Sequence, residues 1–206
     1  MKRPPKPSVS ENEPASDGGD GRAVVSELVR RFRAGDESAF DELVKRLTPR
    51  LNALAMRSLG SAEAAEEAVQ DAWVRIYNRI GDVQDLQAFE GWAVRVTMSR
   101  INDEFRARSR EKSAREGLAE MRTAIGPAPE RTTDLEREDL ARVLREALES
   151  LDDTHREVFV LREIEGLPHA QIARMLGIPE GTVWSRLSYA RRMLRDYLSR
   201  RRDDVS

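Results

Sequence analysis

Three sets of side chains in this sequence have the types and spacing to make specific contacts. Between Pro168 and Arg195, PHAQIARMLGIPEGTVWSRLSYARRMLR, a 3.6-residue period puts Gly181, Ser185, Ser188, Tyr189 and Arg192 on one side of a helix and Val183, Leu187, Ala190 and Leu194 on the other. Hydroxyls and a guanidinium on such a face can hydrogen-bond phosphates and base edges. A second ladder of donors, Arg95, Ser99, Asn102 and Arg106, lies opposite an apolar stripe of Val94, Met98, Ile101 and Phe105. The third set has the opposite sign: Glu66, Glu67, Gln70 and Asp71 form an acidic and amide patch with no Lys or Arg at i+4 inside it, a surface suited to a basic helix of another protein. Spacing alone leaves an alternative open at all three, because ordinary solvated helix backs look the same.

The elements that must carry these sets are all helical in pattern. From Ala23 a helix runs through Leu28, Val29 and Phe32 to Gly35; Asp36 can cap a second with Phe40, Leu43, Val44 and Leu47, and a third follows Pro49 with Leu51, Leu54, Ala55 and Leu59. Ser61 is the expected N-cap of the acidic helix, whose buried stripe is Ala65, Ala68, Val69, Ala72, Ile76 and Ile80. A loop at 80–90 precedes the helix from about Phe89 to Arg110, in which Phe89 and Trp92 also read as core aromatics. Residues 112–134, with Gly126, Pro127 and Pro129, read as an extended linker. An amphipathic helix over 135–151, with Leu140, Val143, Leu144, Ala147 and Leu148 as core, precedes one capped by Asp152, Asp153 or Thr154 that buries Val158, Phe159, Leu161 and Ile164 and ends at Gly166. The last two helices pivot on Gly177 and Pro179, a helix-turn-helix pattern in which the second helix enters the DNA major groove. The expected fold is therefore all-α: two small helical domains at 22–111 and 135–200 joined by a flexible linker at 112–134, with a disordered tail at 1–21 and a short tail at 201–206.

Composition narrows the chemistry. The chain has no cysteine and only two histidines, so thiolate chemistry and zinc sites are excluded. There is no P-loop or Gly-rich dinucleotide turn, and neither metal, cofactor nor catalytic residue is expected. No apolar run is long enough for a membrane span and the first residues lack an apolar signal core, which points to a cytoplasmic protein without membrane insertion. The net charge of −2 hides an alternation: residues 61–90 carry two basic and seven acidic groups, 89–115 seven and four, 116–153 five and eleven, 168–206 eight and four. Two basic segments separated by acidic ones suit two DNA contacts in a protein that also grips a basic partner.

Two motifs carry a family resemblance. AAEEAVQDAWVRIY at 64–77 with FEGWAVRVTMSRINDEFRAR at 89–108 resembles region two, and LDDTHREVFVLREIEGLPHAQIARMLGIPEGTVWSRLSYARRMLR at 151–195 resembles region four, of the extracytoplasmic-function (group IV) sigma factors of bacterial RNA polymerase. The resemblance implies a non-enzymatic factor that binds core polymerase, through the β′ clamp and the β subunit, and directs promoter-specific transcription initiation. It implies that Glu66, Glu67, Gln70 and Asp71 meet the β′ clamp coiled coil. Phe89, Arg95, Ser99, Arg100, Asn102 and Arg106 would engage and melt the minus-ten element, and Gly181, Thr182, Trp184, Ser185, Arg186, Ser188, Tyr189 and Arg192 would read the minus-thirty-five element. An anti-sigma factor is the implied inhibitor. The sequence departs from the family at Ser99, where Asn is usual, and at Trp184 and Tyr189, where Lys or Arg is common. Trp184 can contact a thymine methyl or pack on its own domain. The competing function is a helix-turn-helix regulator that works without polymerase and uses its N-terminal half to dimerise.

Overall fold

The computed structural model describes residues 18–119 and 142–203, and every regular element among the described residues is helical. The N-terminal half comprises α1 (Gly18–Arg33), α2 (Ser38–Leu59), α3 (Ala62–Arg79) and α4 (Phe89–Ala119). The C-terminal half comprises α5 (142–149), α6 (Asp153–Phe159), α7 (His169–Leu176) and α8 (Glu180–Asp203). α2 packs on α1, α3 and α4, while α8 packs on α6 and α7.

The apolar stripes account for the packing. Leu43, Leu47, Leu51, Leu54 and Leu59 of α2 meet Ala65, Ala68, Val69 and Ile76 of α3 and Val94, Met98, Ile101 and Phe105 of α4 in one buried core. Each fully buried large side chain contributes about 1.5–3 kcal/mol relative to exposure. In the C-terminal half, Val183, Leu187, Ala190 and Leu194 close over Val158, Leu161 and Ile172. Ser61 caps α3 as expected, its hydroxyl accepting from the Ala64 N–H at 3.4 Å. Asp152 caps α6, accepting from the N–H groups of Thr154 and His155. At the helix-turn-helix corner Gly177 takes φ +65°, a left-handed conformation that a side chain would strain, and its N–H bonds the Ala173 carbonyl.

Several boundaries differ from the sequence reading. α1 starts at Gly18, inside the expected tail; residues 1–17 lie outside the described residues. α2 continues through Pro49 instead of breaking there. Proline removes one helical N–H, and the residue whose carbonyl it would have served, Lys45, is exposed. Asp36 does not cap α2 with its side chain: its carboxylate accepts from Arg31 Nε at 2.9 Å and the Ser38 hydroxyl at 2.6 Å. α4 runs on to Ala119, through the first residues assigned to the linker, while 120–134 and the first part of the expected 135–151 helix lie outside the described residues. Leu144 faces solvent although Ala147 and Leu148 are buried. The helix after Asp152 widens into a π turn over Val160–Ile164, closed by the Glu165 N–H on the Val160 carbonyl.

The loop at 80–90 is held by α1 rather than left free. It contains two short 3-10 turns, Ile80–Asp82 and Leu86–Ala88. Arg33 donates to the carbonyls of Ile80 and Val83, both at 2.5 Å, and the Ser26 hydroxyl donates to the Leu86 carbonyl at 3.0 Å.

Candidate nucleic-acid interface

On α3 the buried stripe turns Glu66, Glu67, Gln70 and Asp71 outward, all exposed. Gln70 donates its amide N–H to Glu66 at 3.2 Å, and among the described residues neither Glu66 nor Glu67 has a cationic partner at ion-pair distance. Asp71 differs, because its field reaches Arg100 of α4. Beside the acids lies an apolar surface the sequence reading did not single out. Val74 is 61% exposed, and Tyr77 projects from an aromatic cluster with Phe32, Phe40 and Trp73, at centroid distances of 5.0–5.6 Å. Trp73 is fixed from inside by its Nε1–H on the Thr48 hydroxyl at 2.9 Å. The face is therefore acidic along one edge and greasy along the next.

On α4 the donor ladder is occupied. Arg95 donates to the Met175 carbonyl of α7 at 3.2 Å, and Arg106 to Asp153 of α6 at 2.7 Å. Asn102 is buried, its Oδ1 accepting from Arg156 at 3.0 Å, and Ser99 between them is exposed. Phe89 is fully buried against Trp92 and is not at the surface in this arrangement of the halves. Arg100 is turned into the α3–α4 seam against Asp103, and burial, with Arg75 next to it, pushes its pKa down. Of the six residues expected to meet the minus-ten element, only Ser99 is exposed with no contact to the C-terminal half, and Arg95 and Arg106 are exposed but engaged.

The seam between the halves is built from residues the sequence reading missed. Arg156, only 4% exposed, lies 4.2 Å over the Phe105 ring and donates to the Leu148 carbonyl at 2.8 Å, the Leu151 carbonyl, Asn102 and Asp153. The Glu165 side chain, 4% exposed, accepts from Arg57 at 2.6 Å and Arg50 at 3.3 Å on α2. Burial pushes the Glu157 carboxyl up, against the opposing pull of Arg95 and Arg186. A Cβ on Gly91 would stand 3.2 Å from the Met175 side chain, so α4 and α7 approach closely at this glycine. A cleft of about 560 Å³ remains beside this contact, lined by Arg22, Arg50, Arg95 and Arg174 with Trp92 and Met175.

The α8 face is open. Gly181, Trp184, Ser185, Ser188, Tyr189 and Arg192 are exposed, with Thr182 and Arg186 partly so. Trp184, 52% exposed, stacks on His169 at 4.0 Å and 18°, and Tyr189 packs on His155 at 4.3 Å. Arg192 sits 5.1 Å over the Tyr189 ring, whereas Arg191 pairs with Glu163 at 2.5 Å. The Ser185 hydroxyl is turned to its own helix, donating to the Thr182 carbonyl at 3.1 Å.

Comparison with known proteins adds to this geometry. The family description Sigma-70 region 2 matches residues 43–111, and Sigma-70, region 4 matches residues 141–194. The chain is 34% identical over 178 residues to the ECF RNA polymerase sigma factor SigE of Mycolicibacterium smegmatis, an alignment covering 84% of this chain and 67% of that one. Among solved structures it is similar to CnrH in complex with the cytosolic domain of CnrY, with a TM-score of 0.58 and 26% identity over 85% of this chain and 97% of that one. It is also similar to the sigma factor RpoE in complex with the anti-sigma factor NepR from Bartonella quintana, with a TM-score of 0.52 and 26% identity over 78% and 96%.

Proposed function

The chain belongs to the extracytoplasmic-function RNA polymerase sigma factors, and from that premise we propose which face performs each part of the work. As a sigma factor it directs promoter-specific transcription initiation by RNA polymerase. The α3 face, Glu66, Glu67, Gln70 and Asp71, docks on the β′ clamp coiled coil. One observation carries this reading: two carboxylates without a cationic partner among the described residues lie beside exposed Val74 and Tyr77. Acids supply steering and register against a basic helix, and the apolar edge supplies buried area. The acidic patch is needless in a regulator that works without polymerase.

α8 reads the minus-thirty-five element through Gly181, Thr182, Trp184, Ser185, Arg186, Ser188, Tyr189 and Arg192, while Arg95, Ser99, Asn102 and Arg106 serve the minus-ten element. The α4 set works only once the two halves part, because α6 and α7 hold three of its four members. Flipping and unstacking a base costs a few kcal/mol, so the contacts that open the seam and melt the duplex must come from polymerase and DNA together. The chain is a group IV factor without catalytic activity of its own, acting in the cytoplasm and inhibited by an anti-sigma factor. The NepR complex of a similar chain supports the inhibitor, and among the described residues no helix is long and apolar enough to cross a membrane.

The deciding experiment pairs purified core polymerase with the full chain on genomic fragments. Promoter-dependent transcripts are expected. Glu67→Arg with Asp71→Arg is expected to abolish co-elution with core enzyme while leaving the circular dichroism spectrum unchanged. A double variant that still co-elutes overturns the docking assignment.

A further inference from the structure

The chain's only two histidines both lie against aromatic residues of α8, at the two positions where a basic residue was expected: His169 is stacked on Trp184 at 18°, and His155 is tilted at 37° to Tyr189. The two pairs are not equivalent. Tyr189 has His155 on one side and the Arg192 guanidinium over its ring, so it serves as a platform for a cation. Trp184 has His169 on one face and solvent elsewhere, with half of its surface free. His169 opens α7, and Trp184 lies one turn into α8, so the pair bridges both helices of the helix-turn-helix on their outer side. The His169 ring is flat against the indole, and its buried Nε2 has no hydrogen-bond partner. Burial, with Arg162 next, pushes its pKa down against the pull of Glu180 and Glu163, so the ring is neutral at physiological pH. A neutral imidazole adds no charge for phosphate.

We propose that Trp184, held in place by His169 as a positioning residue, is a specificity-determining contact that reads a thymine 5-methyl group in the upstream promoter element. This rests on the reading of α8 as the helix that enters the major groove there. A Lys or Arg at this position would offer charge-assisted hydrogen bonds to phosphate or guanine. Tryptophan offers one N–H donor and a broad apolar surface, and the one apolar group that base edges present in the major groove is the thymine methyl. An exposed indole alone samples several rotamers. The parallel stack on His169 fixes it before DNA arrives, which reduces the ordering cost of binding.

The test uses the full chain assembled with core polymerase. Upstream elements are selected from randomised DNA, and each thymine in the selected element is then replaced singly by deoxyuridine, which deletes only the methyl. At one or two positions the wild type is expected to lose about fourfold in affinity, the worth of one buried methylene at about 0.8 kcal/mol. Trp184→Ala is expected to erase that difference. His169→Ala is expected to erase most of it, and His169→Phe, which restores a flat neutral ring, to recover it. Wild-type insensitivity to every deoxyuridine, persistence of the penalty in Trp184→Ala, or sensitivity to 7-deazaguanine in place of deoxyuridine overturns the proposal. If Trp184→Ala and Arg192→Ala both leave protection of the upstream element unchanged, the assignment of α8 itself fails.

Discussion

α4 and α8 carry similar donor sets, with arginines, a serine and small polar neighbours opposite an apolar stripe, yet one face is closed and the other open. On α4, Arg95, Asn102 and Arg106 are bound by a backbone carbonyl, an arginine and a carboxylate from the other half of the chain. On α8, Arg192 rests on Tyr189 and Trp184 on His169, all within one helical unit. Donors aimed at phosphate are equally good donors for any acceptor brought near them, and a second domain with Asp153 at its surface supplies one at no cost in diffusion. On the α8 face Trp184 and Tyr189 meet rings of α7 and α6, Arg191 is taken by Glu163, and Arg192 is left over the Tyr189 ring. The same residue types thus mark a latent contact in one place and an available one in the other.

The sharpest way to break this contrast is at Arg156, which belongs to the closed side. Its guanidinium is buried among two carbonyls, Asn102, Asp153 and the Phe105 ring. Truncation to alanine strands those acceptors and leaves a void, and losses of about 3–5 kcal/mol are typical when one member of a buried charged network is removed. Denaturant unfolding of Arg156→Ala is expected to show a loss of that size, with faster amide exchange at the end of α4. A loss under about 1 kcal/mol would mean that the halves are not joined in solution.

Arg192→Ala probes the open side. If the guanidinium held over Tyr189 meets phosphate, promoter affinity falls for every sequence alike and the slope of log affinity against log salt shrinks by about one. A change of sequence preference at constant slope would move Arg192 to base reading. The matching probe of the closed side is the Arg106–Asp153 pair. Arg106 is more than half exposed, so the pair contributes only about 0.2–1 kcal/mol. Arg106→Glu is expected to enlarge the radius of gyration in small-angle scattering, and adding Asp153→Arg to restore it. Equal dimensions for wild type and single variant would show that this pair does not hold the seam.

What was legible in the sequence was whatever repeats locally. The stripes Val183, Leu187, Ala190, Leu194 and Val94, Met98, Ile101, Phe105 are buried as their 3.6-residue period requires. Caps at Ser61 and Asp152 depend on groups two or three residues away and were equally visible. Pro49 misled because the apolar stripe on either side of it, Leu43, Leu47, Leu51 and Leu54, is buried in one core and carries the helix through the proline. Nothing local marked Arg156 or Glu165: their partners lie 54 and up to 115 positions away, and an arginine or a glutamate in a helical pattern reads as surface. The two histidine–aromatic contacts were hidden for the same reason, although the departures at Trp184 and Tyr189 mark where they lie.

A pH-dependent effect separates two adjacent carboxylates, one serving each face. Asp153 faces the seam through Arg106 and Arg156, whereas Asp152 caps α6 and pairs at 2.6 Å with the Nδ1 of His155, the ring behind Tyr189. Partial burial pushes the Asp152 carboxyl up, but hydrogen bonds from Thr154 and His155 outweigh it and hold the pKa at about 2, below its ordinary 3.8. A carboxyl depressed by folding stabilises the native state fully above its unfolded pKa and ceases to do so as pH falls through the folded value, so the window runs from about 4 down to 2. The side chain is more than half exposed and its field is screened, which leaves about 1 kcal/mol of the full linkage. Asp152→Asn keeps a capping oxygen and removes the charge. Urea unfolding at pH 6 is expected to find the variant about 1 kcal/mol less stable than wild type, with the gap closing towards pH 2. Tyr189 fluorescence is expected to change with the Asp152 variant and not with Asp153→Asn. If the gap between wild type and Asp152→Asn stays constant from pH 6 to pH 2.5, the cap is not the source of the acid dependence, and the support of the open face must lie in the apolar stripe beneath it.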